Sequence, residues 1–145
     1  MFDTALRSLI LLAATGFLLG ACDSTGGTPG EELRYFEFVH TETSGTFIAA
    51  TSDPEVLNAI ESQLSKPPEE RGRFIAGPIT RGDAGYNDQH PWHFVEGEWT
   101  LVETAIEACD GAPAYVDTHV DYFVDEVGRY CPWSSRVRKE VDSPL

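Results

Sequence analysis

The stretch 99–137 constrains the fold most, because it combines two helical patterns with a pair of cysteines. The first pattern opens with Thr100-Leu-Val-Glu103, a capping box whose side chains satisfy free backbone amides at a helix start. The second covers residues 113–128 and repeats apolar residues at spacings of three and four. Cys109 ends the first pattern and Cys131 lies just beyond the second. We expect a helical hairpin that a disulfide would clamp to the C-terminal segment.

An apolar run at residues 9–19 precedes the sequence Leu19-Gly20-Ala21-Cys22. The run is shorter than the ~20 residues needed to span a hydrocarbon core, so we interpret it as the apolar part of a signal peptide. The four residues that end it resemble the bacterial lipoprotein signal, or lipobox. That resemblance implies removal of residues 1–21 and a diacylglyceryl thioether on Cys22, the new N-terminus. A plain cleaved signal with an incidental cysteine is the alternative.

A lipoprotein of this kind is expected on the extracytoplasmic, periplasmic side of the cell membrane, with its acyl chains in the lipid bilayer. Each buried methylene contributes ~0.8 kcal/mol, and two or more chains give stable anchoring. Residues 22–33 are small, polar and rich in turn formers, which predicts a flexible tether. A single globular domain is predicted at residues 34–141, followed by a C-terminal tail at 142–145.

Lipidation of Cys22 would leave two of the three cysteines in an oxidising compartment. Two remaining cysteines in an exported domain favour a disulfide between Cys109 and Cys131. Closing a loop of this length would stabilise the fold by ~3 kcal/mol. A catalytic or metal-binding use of the two thiols is the alternative, although no second thiol pair lies near them in the sequence.

The chain is acidic, with a formal net charge of −14. Residues 82–128 contain eleven acidic residues and no Lys or Arg. Such a field repels phosphate backbones, so nucleic acid is not an expected partner. Most of these acids are expected to form a solvated face. Asp117, Asp121 and Asp125 would stack on one helix face, where a basic partner or a divalent cation would relieve their repulsion.

The remaining patterns predict the fold class. A helix is expected at residues 53–64, with Asp53 as its cap and a pair of prolines after its end. Strands are expected at 35–39, 46–51, 73–79, 92–95 and 135–141. This order predicts an α+β domain, in which about three helices pack on one face of a small, mainly antiparallel sheet with one disulfide.

Four motifs in the sequence belong together. They are Thr51-x-Asp53-Pro54; Gly85-Tyr86-Asn87 ahead of Trp92-x-Phe94; Ala105-Ile106-Glu107-x-Cys109-Asp110-Gly111 with Tyr115-Val116; and Tyr130-Cys131-Pro132-Trp133-Ser134-Ser135-Arg136-Val137. Over about residues 34–141 they resemble a poorly characterised family of exported bacterial domains, related to the N-terminal domain of a slime-mould calmodulin-binding protein. The resemblance implies a fold and a disulfide, and no established catalytic activity. Calmodulin binding is not expected, because a bacterial envelope offers no calmodulin.

We therefore expect a non-catalytic binding or interaction domain without a metal or cofactor. Its partner would be an envelope protein or a small-molecule ligand. The candidate binding or structural site comprises Trp92, His93, Glu107, Asp110, Trp133 and Arg136. Glu107 and Arg136 flank the two cysteines, so a disulfide would bring them near each other, either as a structural ion pair or as groups lining a ligand site.

The alternative is a small envelope hydrolase or metal-dependent enzyme that uses His93 or His119 as a base or ligand. His90-x-x-His93 could begin a zinc site, but no third ligand follows at a suitable spacing. Ser134 and Ser135 are candidate nucleophiles, and local hydrogen bonds in the turn are the simpler explanation for them. The sequence contains no nucleophile elbow, phosphate-binding glycine loop or His-Glu-x-x-His motif.

Overall fold

The computed structural model describes residues 32–143, a part of the chain in which strands predominate over short helices. The predicted signal peptide, Cys22 and the tether up to residue 31 lie outside the described residues, as do residues 144–145. The elements in chain order are β1 (Arg34–His40), β2 (Thr46–Thr51), α1 (Pro54–Leu64), a 3₁₀ turn (Pro68–Glu70), β3 (Phe74–Ala76), β4 (Ile79–Arg81), β5 (Trp92–Phe94), β6 (Thr100–Val102), a second 3₁₀ turn (Glu107–Cys109), α2 (Pro113–Asp117), a π-helical turn (Tyr122–Glu126) and β7 (Ser135–Val141).

The largest sheet is antiparallel, with strand order β2–β1–β7. It confirms the predicted hairpin and the predicted closing strand. Phe38 of β1 lies opposite Phe47 of β2 and Val137 of β7, and all three side chains belong to the main core. Side chains alternate between the two faces of a strand, so the register that pairs these three residues also places their neighbours on the opposite face.

Helix α1 begins where the sequence predicts it. The Asp53 carboxylate accepts hydrogen bonds from the backbone N of Glu55 and of Val56, at 2.8 and 3.2 Å, and so caps the first turn. Ile60 on the apolar stripe is fully buried in the main core. Neither α1 nor any other helix within residues 32–143 has the length and apolar character needed to cross a membrane.

The strand predicted at 73–79 is in fact two strands, which changes the sheet. β3 pairs with β6 and β4 pairs with β5, so the single predicted sheet is three small antiparallel sheets within the described residues. The break falls at Gly77 and Pro78. A Cβ on Gly77 would lie 2.5 Å from the Cβ of Trp99, so only glycine fits there. Pro78 has no N–H to donate to a ladder, and the chain changes partner at this point.

The helical hairpin predicted across residues 100–128 is wrong in its first half. Residues Thr100–Val102 form β6, in which Leu101 pairs with Ile75 of β3 and both side chains are buried in the main core. Burial of an apolar side chain outweighs the small gain of a capping box. Glu103, predicted to complete that box, instead forms an ion pair with Arg73 at 3.2 Å.

The second half of the predicted hairpin is only partly helical. Helix α2 ends at Asp117, and a short π-helical turn follows it. Thr118 Oγ1 and His119 Nδ1 both bond the carbonyl of Tyr115, at 3.0 and 2.8 Å. Side chains that bond a nearby carbonyl compete with the helical ladder, which explains why the apolar repeat does not give one continuous helix.

An aromatic core joins the three sheets. Tyr130 lies at its centre, with its ring centroid 5.2 Å from that of Trp92, 5.7 Å from Phe94 and 5.4 Å from Phe123. Its hydroxyl donates to the carbonyl of Gly111 at 2.9 Å. The domain is therefore α+β with antiparallel sheets, as predicted, but its helices are shorter than expected and strands make up most of its regular structure.

Within residues 32–143, side chains cover the outer edge of β2 in place of a fourth strand. An uncovered edge offers a row of unpaired backbone groups to other chains. Here side chains of the 87–99 stretch form hydrogen bonds with backbone groups of alternate residues of β2. The three bonds run from Ile48 N to Asn87 Oδ1 (2.8 Å), from His90 Nε2 to Thr46 O (2.8 Å) and from Trp99 Nε1 to Ala50 O (2.9 Å).

Candidate functional site

The disulfide predicted from the sequence joins Cys109 to Cys131, whose Cα atoms lie 5.2 Å apart. Both cysteines are fully buried and pack with Phe74 and Ala76. The backbone N of Cys131 also donates to the carbonyl of Cys109 at 2.8 Å. Bridge and backbone bond together hold the second 3₁₀ turn against the segment that leads into β7.

Trp133 follows this bridge and projects towards solvent, with 38% of its surface exposed. Its backbone N donates to Oδ1 of Asp110 at 2.8 Å, so the aspartate fixes the turn that presents the indole. Ser135 Oγ donates to the carbonyl of Pro132 at 2.9 Å, and Ser134 Oγ donates to the carboxylate of Glu42 at 2.6 Å. Both serines are therefore engaged in structural hydrogen bonds.

Arg136 lies beside Trp133 and is half-buried. Its Nη1 donates to the backbone carbonyls of Trp133 and Ser135, both at 2.6 Å. Within residues 32–143 no carboxylate pairs with it, and its Nε and Nη2 groups make no hydrogen bond. Desolvation by burial lowers the pKa of Arg136 from its ordinary value. The group remains charged at neutral pH, since an arginine guanidinium is not deprotonated in proteins.

A cavity of about 300 Å³ opens between Trp133, Arg136, the start of β3 and the segment 103–105 that follows β6. We call it the disulfide cleft, because Phe74 on its wall also packs against the bridge. It offers one guanidinium, one exposed indole and an apolar wall. Its lining residues are Gly72, Phe74, Glu103, Thr104, Ala105, Trp133 and Arg136.

A second cavity, of about 310 Å³, also has Arg136 in its lining. We call it the arginine groove, because three arginines line it together with Val39, Thr41, Pro68 and Val137. Arg138 lies 3.2 Å from the carboxylate of Glu37. Arg71 donates only to backbone carbonyls in the described residues, those of Leu64, Lys66, Val137 and Arg138. Arg136 is thus shared by two adjoining cavities.

Glu107 does not join this arrangement. It is exposed, and within residues 32–143 its carboxylate forms no ion pair. The predicted ion pair with Arg136 is therefore absent from the described part of the chain. In the 3₁₀ turn, with three residues per turn, Glu107 lies on a different side from the buried Cys109, and the neighbouring Ile106 is 61% exposed as well.

Trp92 lies away from the disulfide cleft, in the aromatic core. It is fully buried, and its Nε1 donates to Oδ1 of Asp117 at 2.8 Å. The same oxygen lies 2.8 Å from Nδ1 of His90, whose Nε2 bonds Thr46. Both nitrogens of His90 therefore face acceptors within the protein and are engaged in structural contacts.

His93 and His119 occupy separate surface positions. Nδ1 of His93 lies 2.6 Å from the carbonyl of Gly82. The His119 ring stacks on Tyr115, with 4.0 Å between the ring centroids. Neither imidazole is hydrogen-bonded to a carboxylate of the described residues. In residues 32–143, no three His, Cys, Asp or Glu side chains are grouped so that they could hold a metal ion.

The three aspartates predicted to share one helix face have different partners. Asp117 turns inward to the core, whereas Asp121 and Asp125 both pair with Arg81. Arg81 is the basic partner that relieves their repulsion, and it comes from β4 of the same chain. Their hydrogen bonds raise the pKa of Arg81.

Sequence reasoning missed half of the cleft. Phe74, Glu103 and Ala105 line it, yet the sequence pattern predicts Phe74 in a plain strand and Glu103 in a helix cap. The signal that could have revealed this wall is Arg71-Gly72-Arg73, which leads into β3. Two arginines separated by glycine are unusual in so acidic a chain.

The residues that form the cleft fall within the match of the chain to a known family. The family model described as the BP-74 N-terminal domain matches residues 32–144. The chain belongs to this family. The membership confirms the predicted relation to the N-terminal domain of a calmodulin-binding protein. Neither the curated proteins nor the solved structures contain a match to this chain.

Proposed function

We propose that this family member is a non-catalytic binding domain whose ligand site is the disulfide cleft. One observation carries the proposal: Arg136 is half-buried in a cleft beside an exposed indole and has no anionic partner within residues 32–143. Lys66, Arg129 and Lys139 also lack a carboxylate partner in that range, but all three are exposed, where water compensates their charge. Arg71 is half-buried and lacks one too, but its guanidinium is occupied by four backbone carbonyls, whereas Arg136 contacts two through Nη1 alone.

Partial burial of a charge costs free energy unless other groups compensate it. The two carbonyls that Arg136 contacts compensate only part of this cost, because they are neutral and occupy Nη1 alone. Binding residues are commonly retained at some cost to the fold. A ligand that contacts the remaining face of the guanidinium would recover that cost on binding.

The surroundings of the cleft favour a preformed site. The disulfide, the hydrogen bond from Trp133 N to Asp110 and the bond from Ser135 to Pro132 all restrain the segment that carries the indole. A side chain that is already held in its binding position loses less conformational entropy when the ligand arrives. Trp and Arg are also the residue types most often found at the centre of binding sites.

The position of the domain in the cell is part of the proposal. Leu19-Gly20-Ala21-Cys22 would place acyl chains on Cys22 and hold the protein on the periplasmic side of the membrane. The ten residues 23–32 of the tether reach at most ~35 Å when extended. The ligand would then be an envelope protein or a small molecule close to the bilayer.

The alternative predicted from the sequence, a hydrolase that uses His93 or His119, gains no specific observation. Both imidazoles bond backbone carbonyls through Nδ1, at 2.6 and 2.8 Å. A general base is normally oriented by a carboxylate or a comparable group and faces its substrate. No such carboxylate accompanies either ring in the described part of the chain.

The test uses the indole N–H signals of the three tryptophans in ¹⁵N-labelled protein in detergent micelles. Trp92 and Trp99 donate to protein acceptors and are buried, whereas Trp133 is partly exposed. Trp133→Phe assigns the third signal. We expect some members of a chemically diverse ligand library to shift the Trp133 signal and to bind Trp133→Ala more weakly. These compounds should remain chemically unchanged after incubation with the protein.

Tyr115→Ala is the matched control, because Tyr115 is 49% exposed and lies outside the cleft lining. Its affinity for such ligands should equal that of the unmodified protein. A library that never shifts Trp133 would contradict the proposal. Chemical turnover of a bound compound, lost in His93→Gln or His119→Gln, would establish the hydrolase alternative.

A further inference from the structure

We infer that the ligand of the disulfide cleft is a monocarboxylate with an apolar or aromatic group, which rests on the proposed function of that cleft. Arg136 would bind the carboxylate, and Trp133 would pack against the apolar group. The same chemistry occurs in a free organic acid and at the C-terminus of a peptide.

The free donors of Arg136 match a carboxylate. Nη1 is occupied by the carbonyls of Trp133 and Ser135, whereas Nε and Nη2 make no hydrogen bond in the described residues. These two groups form one edge of the guanidinium and donate in parallel. A carboxylate accepts two parallel N–H bonds in a bidentate geometry, which is the strong form of this interaction.

The local charge favours an anion although the chain as a whole is acidic. Arg71 and Arg136 both line the arginine groove, and within residues 32–143 both bond only neutral backbone carbonyls. Because carbonyls carry no net charge, these two positive charges beside β7 have no counter-charge among the described residues. Arg138 adds a third guanidinium there, and Glu37 at 3.2 Å compensates its charge.

The disulfide cleft itself limits the ligand to one negative charge. Among the described residues that line it, Arg136 is the only cation, and the lining also contains Glu103, which is paired with Arg73 at 3.2 Å. A dianion such as phosphate would bring a second negative charge close to Glu103 without a second cation to balance it.

The remaining wall selects the rest of the ligand. Phe74, Ala105 and Trp133 present apolar surface to the cleft, and 38% of Trp133 is exposed to solvent without a ligand. A cavity of about 300 Å³ is at the small end of the range for ligand pockets. It fits one apolar side chain together with its carboxylate.

The test compares N-acetyl-L-phenylalanine with its primary amide, which has the same apolar group and no charge. Both are titrated into the ¹⁵N-tryptophan-labelled full chain, and the shift of the Trp133 indole signal gives the dissociation constant. Inorganic phosphate and a short peptide ending in phenylalanine are titrated in the same way. We expect the acid to bind at least ~10-fold more tightly than the amide, because hydrogen bonds between charged groups are roughly twice as strong as neutral ones.

Three variants locate the effect. Arg136→Gln should abolish the difference between acid and amide. Arg136→Lys keeps the charge but lacks the two parallel N–H donors, so it should retain only part of the difference between acid and amide. Arg129→Gln removes an exposed arginine outside the cleft and should bind like the unmodified protein. Because the acid and amide are also compared on the unmodified protein, a folding defect in one variant does not decide the result.

Equal binding of acid and amide, or tighter binding of phosphate than of the acid, would overturn the monocarboxylate inference. The inference would also be overturned if a library ligand without a carboxylate shifts the Trp133 signal and neither N-acetyl-L-phenylalanine nor the peptide does. That result would leave the binding-domain proposal intact. If no compound shifts the Trp133 signal, both the monocarboxylate inference and the binding-domain proposal are overturned. Equal affinity for the acid and the peptide would support recognition of the terminal residue alone.

Discussion

Trp92 donates its indole N–H to a carboxylate oxygen of Asp117 at 2.8 Å. This bond joins β5 to the end of α2, and through His90 the same oxygen is connected to Thr46 on β2. Asp117 is thus the polar centre of a contact between three separate elements. Its i+4 and i+8 neighbours in the chain, Asp121 and Asp125, pair with Arg81 at the surface.

Removal of the Asp117 carboxylate should destabilise the domain. In Asp117→Ala the Nε1 of Trp92, which is fully buried, loses its acceptor. A buried unsatisfied donor costs roughly 1–3 kcal/mol, and urea unfolding should show a loss of about this size. Asp121→Ala is the matched control, because its ion pair with Arg81 is exposed and solvent screens it, so its removal should change the stability little. Equal losses in the two variants would contradict this assignment of roles.

Loss of the disulfide should lower the free energy of unfolding by ~3 kcal/mol, because the bridge links residues 22 positions apart in the unfolded chain. Urea unfolding of the double variant Cys109→Ser and Cys131→Ser gives the value. Mass measurement before and after reduction should show one bridge in the unmodified protein. Two free thiols in protein exported to the periplasm would rule out the bridge.

Arg71 should stabilise the domain more than its exposed neighbours do. It joins the carbonyl of Leu64, at the end of α1, and that of Lys66 to two carbonyls of β7 through four hydrogen bonds. We expect Arg71→Met to lose about 2 kcal/mol of unfolding free energy, because net contributions are ~0.5–1.5 kcal/mol per bond and partly replaced by water. Arg129→Met should change it by less than ~0.5 kcal/mol. A stability of Arg71→Met equal to that of the control would show that water replaces these bonds fully.

The stability of the domain should fall in alkaline solution. Desolvation raises the pKa of Tyr130 well above its ordinary value, and raises that of Tyr86 as well. Near pH ~10 the unfolded chain loses these protons and the folded chain keeps them, so unfolding is favoured as the pH rises from about 10. Below that pH the contribution of both phenols is fully present.

Urea midpoints measured across the alkaline range test this dependence. Tyr130→Phe has no proton to lose at that position, so its midpoint should fall less steeply above pH ~10. The variant starts from a lower stability, because the bond to Gly111 is lost. A slope identical to that of the unmodified protein would show that Tyr130 titrates normally in the folded state.

The membrane anchor is tested by Cys22→Ser. If acyl chains on Cys22 hold the protein, this variant should leave the membrane fraction and appear in the soluble fraction, because a hydroxyl cannot form the thioether. A Ser134→Ala variant, which leaves the signal intact, should remain with the membrane. Tight association of Cys22→Ser with the membrane would refute the anchor.

Local signals predicted the elements that local interactions determine. The Asp53 cap and the alternating strands of the hairpin appear where the sequence indicates them. The capping box at Thr100 failed because Leu101 pairs with Ile75, a residue 26 positions earlier that no helical periodicity can reveal. Contacts over such distances decide between helix and strand wherever a short apolar run fits both.

The candidate site was predicted in part for a similar reason. Trp133 and Arg136 are close in sequence, and the structure places both in one cleft. Trp92 and His93 are also residue types that often serve binding sites. However, Trp92 is buried in the core, and His93 is hydrogen-bonded to the carbonyl of Gly82. Residue type and motif membership identified side chains that could serve a site, whereas only the packing of β3 against β6 determined which of them share a cavity.

The side chains that cover the edge of β2 have a consequence if the proposed lipid anchor holds the protein on a membrane. Anchored molecules are confined to a plane, so neighbouring copies collide far more often than the same number in free solution. Asn87, His90 and Trp99 occupy the backbone groups through which two such copies would otherwise join their sheets. On the proposed membrane anchor, the 87–99 stretch would therefore keep neighbouring domains from pairing along the edge of β2, and a conformation that released these three side chains would expose that edge.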